Sequence, residues 1–301
     1  MSTLIRAFLG SGAPLTPDEG QRAGIVLLLS AILCLTLMDA VAKHLMQDYS
    51  PALVVWARFV VNLMIMALIF RKRTLSLLRT RHPVAQFARS LAQLASVGLF
   101  FTSLHFIGLA EATAIMDLHP VLITLGAALF LGESIGPRRI AGIAAAMLGA
   151  MIIIRPGAGV FQPAALLPLA GAFSFAAVSL LTRAVRGDSA ATSVLWPSVV
   201  GVVACSAILP WFWQPVSPGD LWAFALLGGF GTISLHLLVR AYAVAEAGKL
   251  APFGYTGLIW AALWGWLIFG QLPDRWTIAG ATIIVGAGIY VWSRERARSG
   301  N

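Results

Sequence analysis

The chain has 301 residues, of which 59% are apolar and 11% charged, and its mean hydropathy is +0.85. An ordinary soluble domain is about 45–50% apolar and about 25% charged, so a water-solvated globule is excluded, as are disorder, collagen and coiled coil. A spanning helix takes about 20 apolar residues, which leaves room for roughly ten spans with short loops and for no further soluble domain.

In chain order, residues 1–22 form a polar tail carrying Arg6, Pro14, Pro17, Asp18 and Glu19, with no secretory apolar region before a cleavage site. Apolar runs bounded by charge, Pro or Gly then predict spans at about 23–46, 51–70, 84–108, 112–131, 138–154, 163–186, 190–212, 218–243, 247–270 and 277–293. Runs such as Ile140 to Ile154 lack the alternation of a barrel strand. Residues 294–301 form a second polar tail. Cys34 and Cys205 both fall inside apolar runs and read as small buried hydrophobes rather than as a disulfide or metal pair.

The net charge of +9 is unevenly spread. With ten spans, the termini and the loops after spans 2, 4, 6 and 8 hold fifteen Lys and Arg, while the other loops hold only Arg155 and Arg275. By the positive-inside rule both termini are expected in the cytoplasm. The basic run Arg71, Lys72, Arg73, Arg79 and Arg81 reads as a lipid-facing loop, not a nucleic-acid patch.

The halves repeat short patterns in the same order. Ser103-Leu104-His105 matches Ser234-Leu235-His236, Glu111-Ala112 matches Glu246-Ala247, and Gly132 precedes Ile140-Ala141-Gly142 as Gly270 precedes Ile278-Ala279-Gly280. Five spans per half is an odd number, so the second half enters from the opposite side. The expected fold is an all-α integral membrane protein of ten transmembrane helices, built as two inverted five-helix repeats around a central cavity. The repeats are expected at 23–155 and 156–293, between cytoplasmic tails 1–22 and 294–301.

These residues resemble the drug/metabolite transporter superfamily, EamA type, over about 23–293. The resemblance is carried by Lys43, Pro51, Arg58, Ala110-Glu111-Ala112, Pro120, Leu131-Gly132-Glu133, Arg138-Arg139 and Arg155-Pro156-Gly157, then by Ala251-Pro252, Tyr255, Trp260-Ala261, Gly265 and Phe269-Gly270. The family often has a Glu where Gln271 stands, so a role for that carboxylate does not carry over to the second half. The resemblance implies a secondary transporter of small organic metabolites in a bacterial-type inner membrane, working by alternating access. The branch of exporters for neutral and aromatic amino acids is the nearest implied cargo class. S-adenosylmethionine, nucleoside-like and cationic drug solutes are the alternatives, and a membrane-embedded enzyme is the alternative class.

Ionisable groups inside spans cost about 2.5–3.5 kcal/mol near the centre and call for a partner or a cavity. Asp39, Lys43, Arg58, His105, Asp117 and His119 all fall in the outer half, as a solvated vestibule and gate or as a structural ion-pair cluster joining spans 1, 2 and 4. Asp117 with His119 is the candidate proton relay, and drive by the substrate's own gradient is the other option. His236 falls in the inner half, as a packing residue or a proton carrier. Arg89 and Arg240 lie near span ends and can snorkel. Trp56, Asn62, Tyr255 and Trp260 are candidate cavity walls. Pro120, Pro197 and Pro252 free the carbonyls of Met116, Ser193 and Gly248, as hinges or simple kinks. No zinc motif, phosphate loop or nucleophile elbow is present, so no metal, cofactor or catalytic residue is expected.

Overall fold

A computed structural model describes residues 16–71, 74–131, 136–155, 163–185, 187–245 and 247–299. Parts of the expected N-terminal tail, Lys72 and Arg73, the Gly132 and Glu133 pattern, Pro156-Gly157, Glu246 and the last two residues lie outside them. Among the described residues the chain is all-helical, without strands. The helices are α1 (Pro17–Leu45), α2 (Pro51–Phe70), α3 (Thr74–Leu77), α4 (Pro83–Phe106), α5 (Leu109–Met116), α6 (His119–Leu131), α7 (Pro137–Ile154), α8 (Leu166–Ala184), α9 (Ala190–Phe212), α10 (Leu221–Val244), α11 (Ala247–Gly254), α12 (Thr256–Phe269) and α13 (Arg275–Ser299). Among the described residues eight stretches are long and apolar enough to cross a membrane, with Ile140–Ile154 and Arg275–Val291 as shorter apolar helices. The chain is a multi-pass membrane protein.

Local chemistry sets the helix ends. Thr16 accepts from Glu19 N while the Glu19 carboxylate reaches back to Thr16, a capping box that starts α1. Pro51, Pro83 and Pro137 stand in the first turns of α2, α4 and α7, where a missing N–H costs nothing. Gly270, at φ +65°, stops α12: its N–H bonds the Trp266 carbonyl and Gln271 N–H bonds the Gly265 carbonyl.

Two predicted spans are not continuous helices. The fourth breaks at Asp117-Leu118 between α5 and α6, and the ninth breaks at Tyr255 between α11 and α12. Pro120 follows the first break and cannot supply the N–H that would bond the Met116 carbonyl across it, and Pro252 lies inside α11, three residues before the second. Pro197 and Pro210, by contrast, lie within a continuous α9.

Packing follows a pattern of exchange. The most extensive contacts are α1 with α10, α7 with α13, α4 with α8, and α2 with α9. Swapping first-half helices for their second-half counterparts turns α1·α10 into α8·α4, and α2·α10 into α9·α4. The same swap turns α8 against α5 and α6 into α1 against α11 and α12, and leaves α2·α9 and α7·α13 unchanged. Segments 46–50, 107–108, 155, 213–220 and 270–274 meet at one end. There Tyr49 Oη donates to Asp220 Oδ2 at 2.7 Å, Ser50 Oγ donates to the Phe212 carbonyl at 2.9 Å, and Arg155 pairs with Asp274. At the other end Trp196 Nε1 donates to the Leu78 carbonyl, and Asp188 accepts from Thr80 and Gln86. We refer to these as the Tyr49 end and the Asp188 end.

Small residues let backbones touch. A Cβ at Gly280 of α13 would lie 2.5 Å from the Gly149 carbonyl oxygen of α7, and one at Gly149 would lie 2.8 Å from the Gly280 oxygen. Inside a bilayer, where helix association rests on close packing rather than on water exclusion, such contacts hold a pair together. Cys34 and Cys205 are both free thiols, and Cys205 is buried in the largest core cluster.

Gly280→Val should lower stability by about 1–3 kcal/mol, because backbone cannot yield to the added methyls. Gly286→Ala on the same helix, where a Cβ meets nothing within 4 Å, should leave the melting temperature in detergent unchanged. At the Asp188 end, hydrogen bonds from Gln86 and Thr80 hold the Asp188 carboxyl below its ordinary range. A carboxyl with a lowered folded-state pKa contributes stability above its unfolded value and loses it as pH falls through the folded one. Acid unfolding scans should therefore show an acid-side loss that Asp188→Asn shrinks.

Candidate functional site

The structure sorts the named polar and aromatic candidates into three groups. The first group surrounds a pocket of about 230 Å³. Asp39 and Thr36 reach it from α1, Arg58 from α2, Gln93, Ser96, Phe100 and Phe101 from α4, and Thr113, Met116, Asp117 and His119 from α5 and the start of α6; Phe175 of α8 and Gly254 and Gly257 complete the wall. A second pocket of about 310 Å³ adjoins it, sharing Asp117, His119 and Gly254. Pro120, Thr124, Tyr242, Pro252, Tyr255 and Gly288 line this second space. The two helix breaks thus face adjoining pockets, with Asp117 at one break and Tyr255 at the other.

Position 255 is tied to α13 by a notch. A Cβ at Gly288 would collide with the Tyr255 phenol, so the ring seats there only because residue 288 is glycine. Trp260 stacks on Trp264, with centroids 6.0 Å apart and planes 16° from parallel, and Trp264 Nε1 donates to Thr36 Oγ1 at 3.2 Å. Trp260 therefore stands behind the pocket wall rather than in it.

The second group serves backbone carbonyls. Lys43 Nζ donates to the Leu104 and Ile107 carbonyls at 3.0 and 2.5 Å and lies 5.5 Å from the Phe269 ring centroid. His119 Nδ1 donates to the Met116 carbonyl at 3.0 Å, the group that Pro120 leaves free, and its ring meets Phe175 edge-on. His105 Nδ1 donates to the Met46 carbonyl at 2.9 Å, at the C-terminal end of α1. Since a carbonyl only accepts, Nδ1 carries the hydrogen in both histidines. Arg89, expected to snorkel, is instead buried and donates to the Ser193 carbonyl that Pro197 leaves free. A guanidinium beside an orphaned carbonyl stays in the protein because that bond would otherwise be lost to hydrocarbon.

The expected ion-pair cluster is corrected in the same way. Among the described residues, Asp39, Lys43, Arg58 and Asp117 form no ion pair with one another. Lys43 takes the carbonyls at the end of α4, where the helix dipole concentrates negative charge, in place of its neighbour Asp39 one turn back. Arg58 lies over the Phe101 ring at 5.4 Å and faces the pocket. Asp39 and Lys43 are both buried, Asp39 against the smaller pocket and Lys43 on the end of α4.

The third group lies away from the cavity. Trp56 Nε1 donates to Ser206 Oγ at 2.9 Å and meets Trp213 edge-on, and Asn62 accepts from Ser198 Oγ at 3.3 Å across the α2–α9 contact. Pro197 is in that same α9. His236 is exposed on α10 and lines neither pocket. Trp211, Trp213 and Trp222 are exposed, as aromatic-belt residues should be. Among the described residues no group of three or more His, Cys, Asp or Glu could hold a metal ion.

Several wall residues had no distinguishing signal in the sequence. Phe100, Phe101 and Phe175 are three of sixteen phenylalanines, and Thr36 and Thr113 stand in unremarkable apolar runs. The Arg155–Asp274 pair joins the end of α7 to the start of α13. Only folding brings its two members together.

An EamA-like transporter family model matches this chain twice, at residues 22–155 and 162–293. The chain belongs to the EamA-like transporter family. Within reach of it, the riboflavin transporter of Rhizobium johnstonii is 33% identical over 232 residues, covering 76% of this chain and 77% of that protein. The pseudopaline exporter CntI of Pseudomonas aeruginosa is 28% identical over 274 residues, covering 89% and 95%. The S-adenosylmethionine uptake transporter of Rickettsia bellii is 26% identical over 224 residues, covering 74% and 77%. A solved crystal structure superposes with a TM-score of 0.63 over 92% of this chain and 99% of the other, at 20% identity, so the two share a fold. These EamA relatives are named as transporters of small metabolites, with both uptake and export among them.

For this EamA protein the Lys43 contacts are open to direct measurement. Lys43→Met should cost about 1.5–3 kcal/mol, the worth of charge-assisted hydrogen bonds. In a background lacking Cys34 and Cys205, an Ile107→Cys thiol should react faster with a membrane-impermeant maleimide once Lys43→Met is added. Equal labelling rates would show that Lys43 does not close this end.

Proposed function

We propose that the chain is a secondary transporter that carries a small organic metabolite across a bacterial-type inner membrane by alternating access. One observation carries the reading. A cavity bounded by two broken helices is plugged toward the Tyr49 end by Lys43 on the α4 carbonyls, and continues toward the Asp188 end past Thr124 and Tyr242. A carrier needs a mid-membrane site, reachable from one side at a time, between parts that can rock against each other.

The exchange pattern of helix contacts and the doubled family match support ten crossings arranged as two inverted units, at 23–155 and 156–293. In that arrangement the Asp188 end is the basic, cytoplasmic one and carries both termini. The cavity then stands open to the cytoplasm.

The pocket wall favours a cargo with charged and flat apolar parts. Asp39, Arg58 and Asp117 offer both signs of charge, and Phe100, Phe101 and Phe175 offer aromatic faces. An amino-acid head group fits that charge pattern, which is what favours export of aromatic amino acids as one reading. S-adenosylmethionine fits it too and has a namesake among the relatives, whereas the amino-acid reading has none among those described above.

Purified protein in liposomes preloaded with S-adenosylmethionine, riboflavin or phenylalanine should show counterflow of the labelled form of at least one of them. Arg58→Gln should reduce that counterflow at least tenfold, while Asn62→Ala, outside the pocket, should leave it within twofold. Absence of counterflow, with chemical conversion of a solute, would favour a membrane-embedded enzyme.

A further inference from the structure

Two polar atoms in the cavity wall are left without partners. The Asp117 Oδ2 and the Thr113 Oγ1 are shielded from water, and neither has a hydrogen-bond partner. The two residues are one helical turn apart at the end of α5, and both line the smaller pocket. Two basic side chains that could have paired with Asp117 are engaged elsewhere. His119 is held on the Met116 carbonyl and against Phe175, and Lys43 is held on two carbonyls of the α4 end.

The charge balance around Asp117 is uneven. Facing the joined pockets are Asp39 from α1, Arg58 from α2, His119 from α6, Tyr242 from α10 and Tyr255 from the α11–α12 junction. Two carboxyl groups thus share one permanent cation. Arg58 balances one of them. Asp117 also caps the C-terminal end of α5, where the last carbonyls of that helix add negative potential. An unmatched carboxylate in such a place is costly, and a neutralising partner removes the cost.

We infer that Asp117 is the exchange site of this carrier, holding a proton when the cavity is empty and the cationic nitrogen or sulfonium of the cargo when it is loaded. The inference rests on the transporter reading and names the cargo chemistry for the same cavity. On loading, the carboxyl O–H bond breaks, its proton leaves to water at the open end, and the cargo cation takes its place against the carboxylate. The Thr113 hydroxyl, one turn away, receives a neighbouring polar atom of the cargo. One positive charge replaces another, so the charge in the cavity is unchanged. Two ligands that exclude each other from one carboxylate are thermodynamically linked, and the linkage is reciprocal.

The test uses the full chain in nanodiscs. Infrared difference spectra of the empty protein at neutral pH should contain a protonated carboxyl C=O band that Asp117→Asn removes. S-adenosylmethionine, a cationic probe, should release close to one proton on binding, measured by calorimetry in buffers of different ionisation enthalpy. Its affinity should weaken about tenfold per pH unit of acidification wherever the carboxyl is protonated in the empty protein and ionised in the loaded one. Asp117→Asn should abolish the proton release and flatten the pH profile, and Asp117→Glu should restore both, which separates a lost carboxylate from a damaged fold. Riboflavin, a neutral probe, should show no proton release. An Asp117 that is ionised in the empty protein overturns the inference, as does S-adenosylmethionine binding without proton release or a pH slope that survives in Asp117→Asn. Counterflow without any of these signatures defeats the exchange site alone, whereas absence of counterflow with every solute defeats the transporter reading.

Discussion

A backbone carbonyl that loses its helical donor inside hydrocarbon must find another, because no water is there to supply one. That constraint organises the interior of this protein. Proline removes donors at Pro120 and Pro197, and the chain answers with His119 on the Met116 carbonyl and Arg89 on the Ser193 carbonyl. Helix ends pose the same demand. Lys43 answers it for Leu104 and Ile107 at the close of α4, and His105 answers it for Met46 just past α1. Four basic side chains are thus fixed by the backbone, three of them (Lys43, Arg89 and His105) across long stretches of the chain.

Once the basic groups are committed, the acidic ones stand apart. Asp39 and Asp117 are left facing a cavity with Arg58 as its permanent cation. The bonds at the Tyr49 end and the acidic groups left beside the cavity therefore have one origin. The bonds that shut the Tyr49 end are few and local: Lys43 on its carbonyls, Tyr49 with Asp220, and Arg155 with Asp274. Such contacts can be exchanged for others at modest cost, unlike the backbone-to-backbone packing of Gly149 on Gly280, which has no slack. In the carrier proposed above, rocking of one unit on the other would turn on the second kind of contact and break the first.

The helix breaks add a further asymmetry. Asp117 and Tyr255 stand at corresponding interruptions in the two halves and line the same space, yet one offers a carboxyl and the other a phenol seated on Gly288. Duplicated architecture supplies the paired interruptions. Divergence at those two positions gives the cavity a chemically distinct side, which a symmetric pair could not provide.

Class and family were legible in the chain because hydrocarbon thickness fixes the length and polarity of a spanning helix, whereas of the ten expected spans eight are long and apolar enough to cross among the described residues. The proline breaks were legible too, since a missing N–H is a property of the residue itself. Partner choice was not. Asp39 and Lys43 are neighbours on one helical face, and local spacing favours a pair between them; only the packed protein shows α4 ending within reach of the ammonium. Arg89 likewise looked free to reach water until the fold set a proline-freed carbonyl beside it. The sequence by itself determined which groups would be expensive in a membrane. The tertiary structure alone decided which of them would be satisfied, because satisfaction for Lys43 and Arg89 depends on atoms 61 and 104 residues away whose approach is set by helix packing.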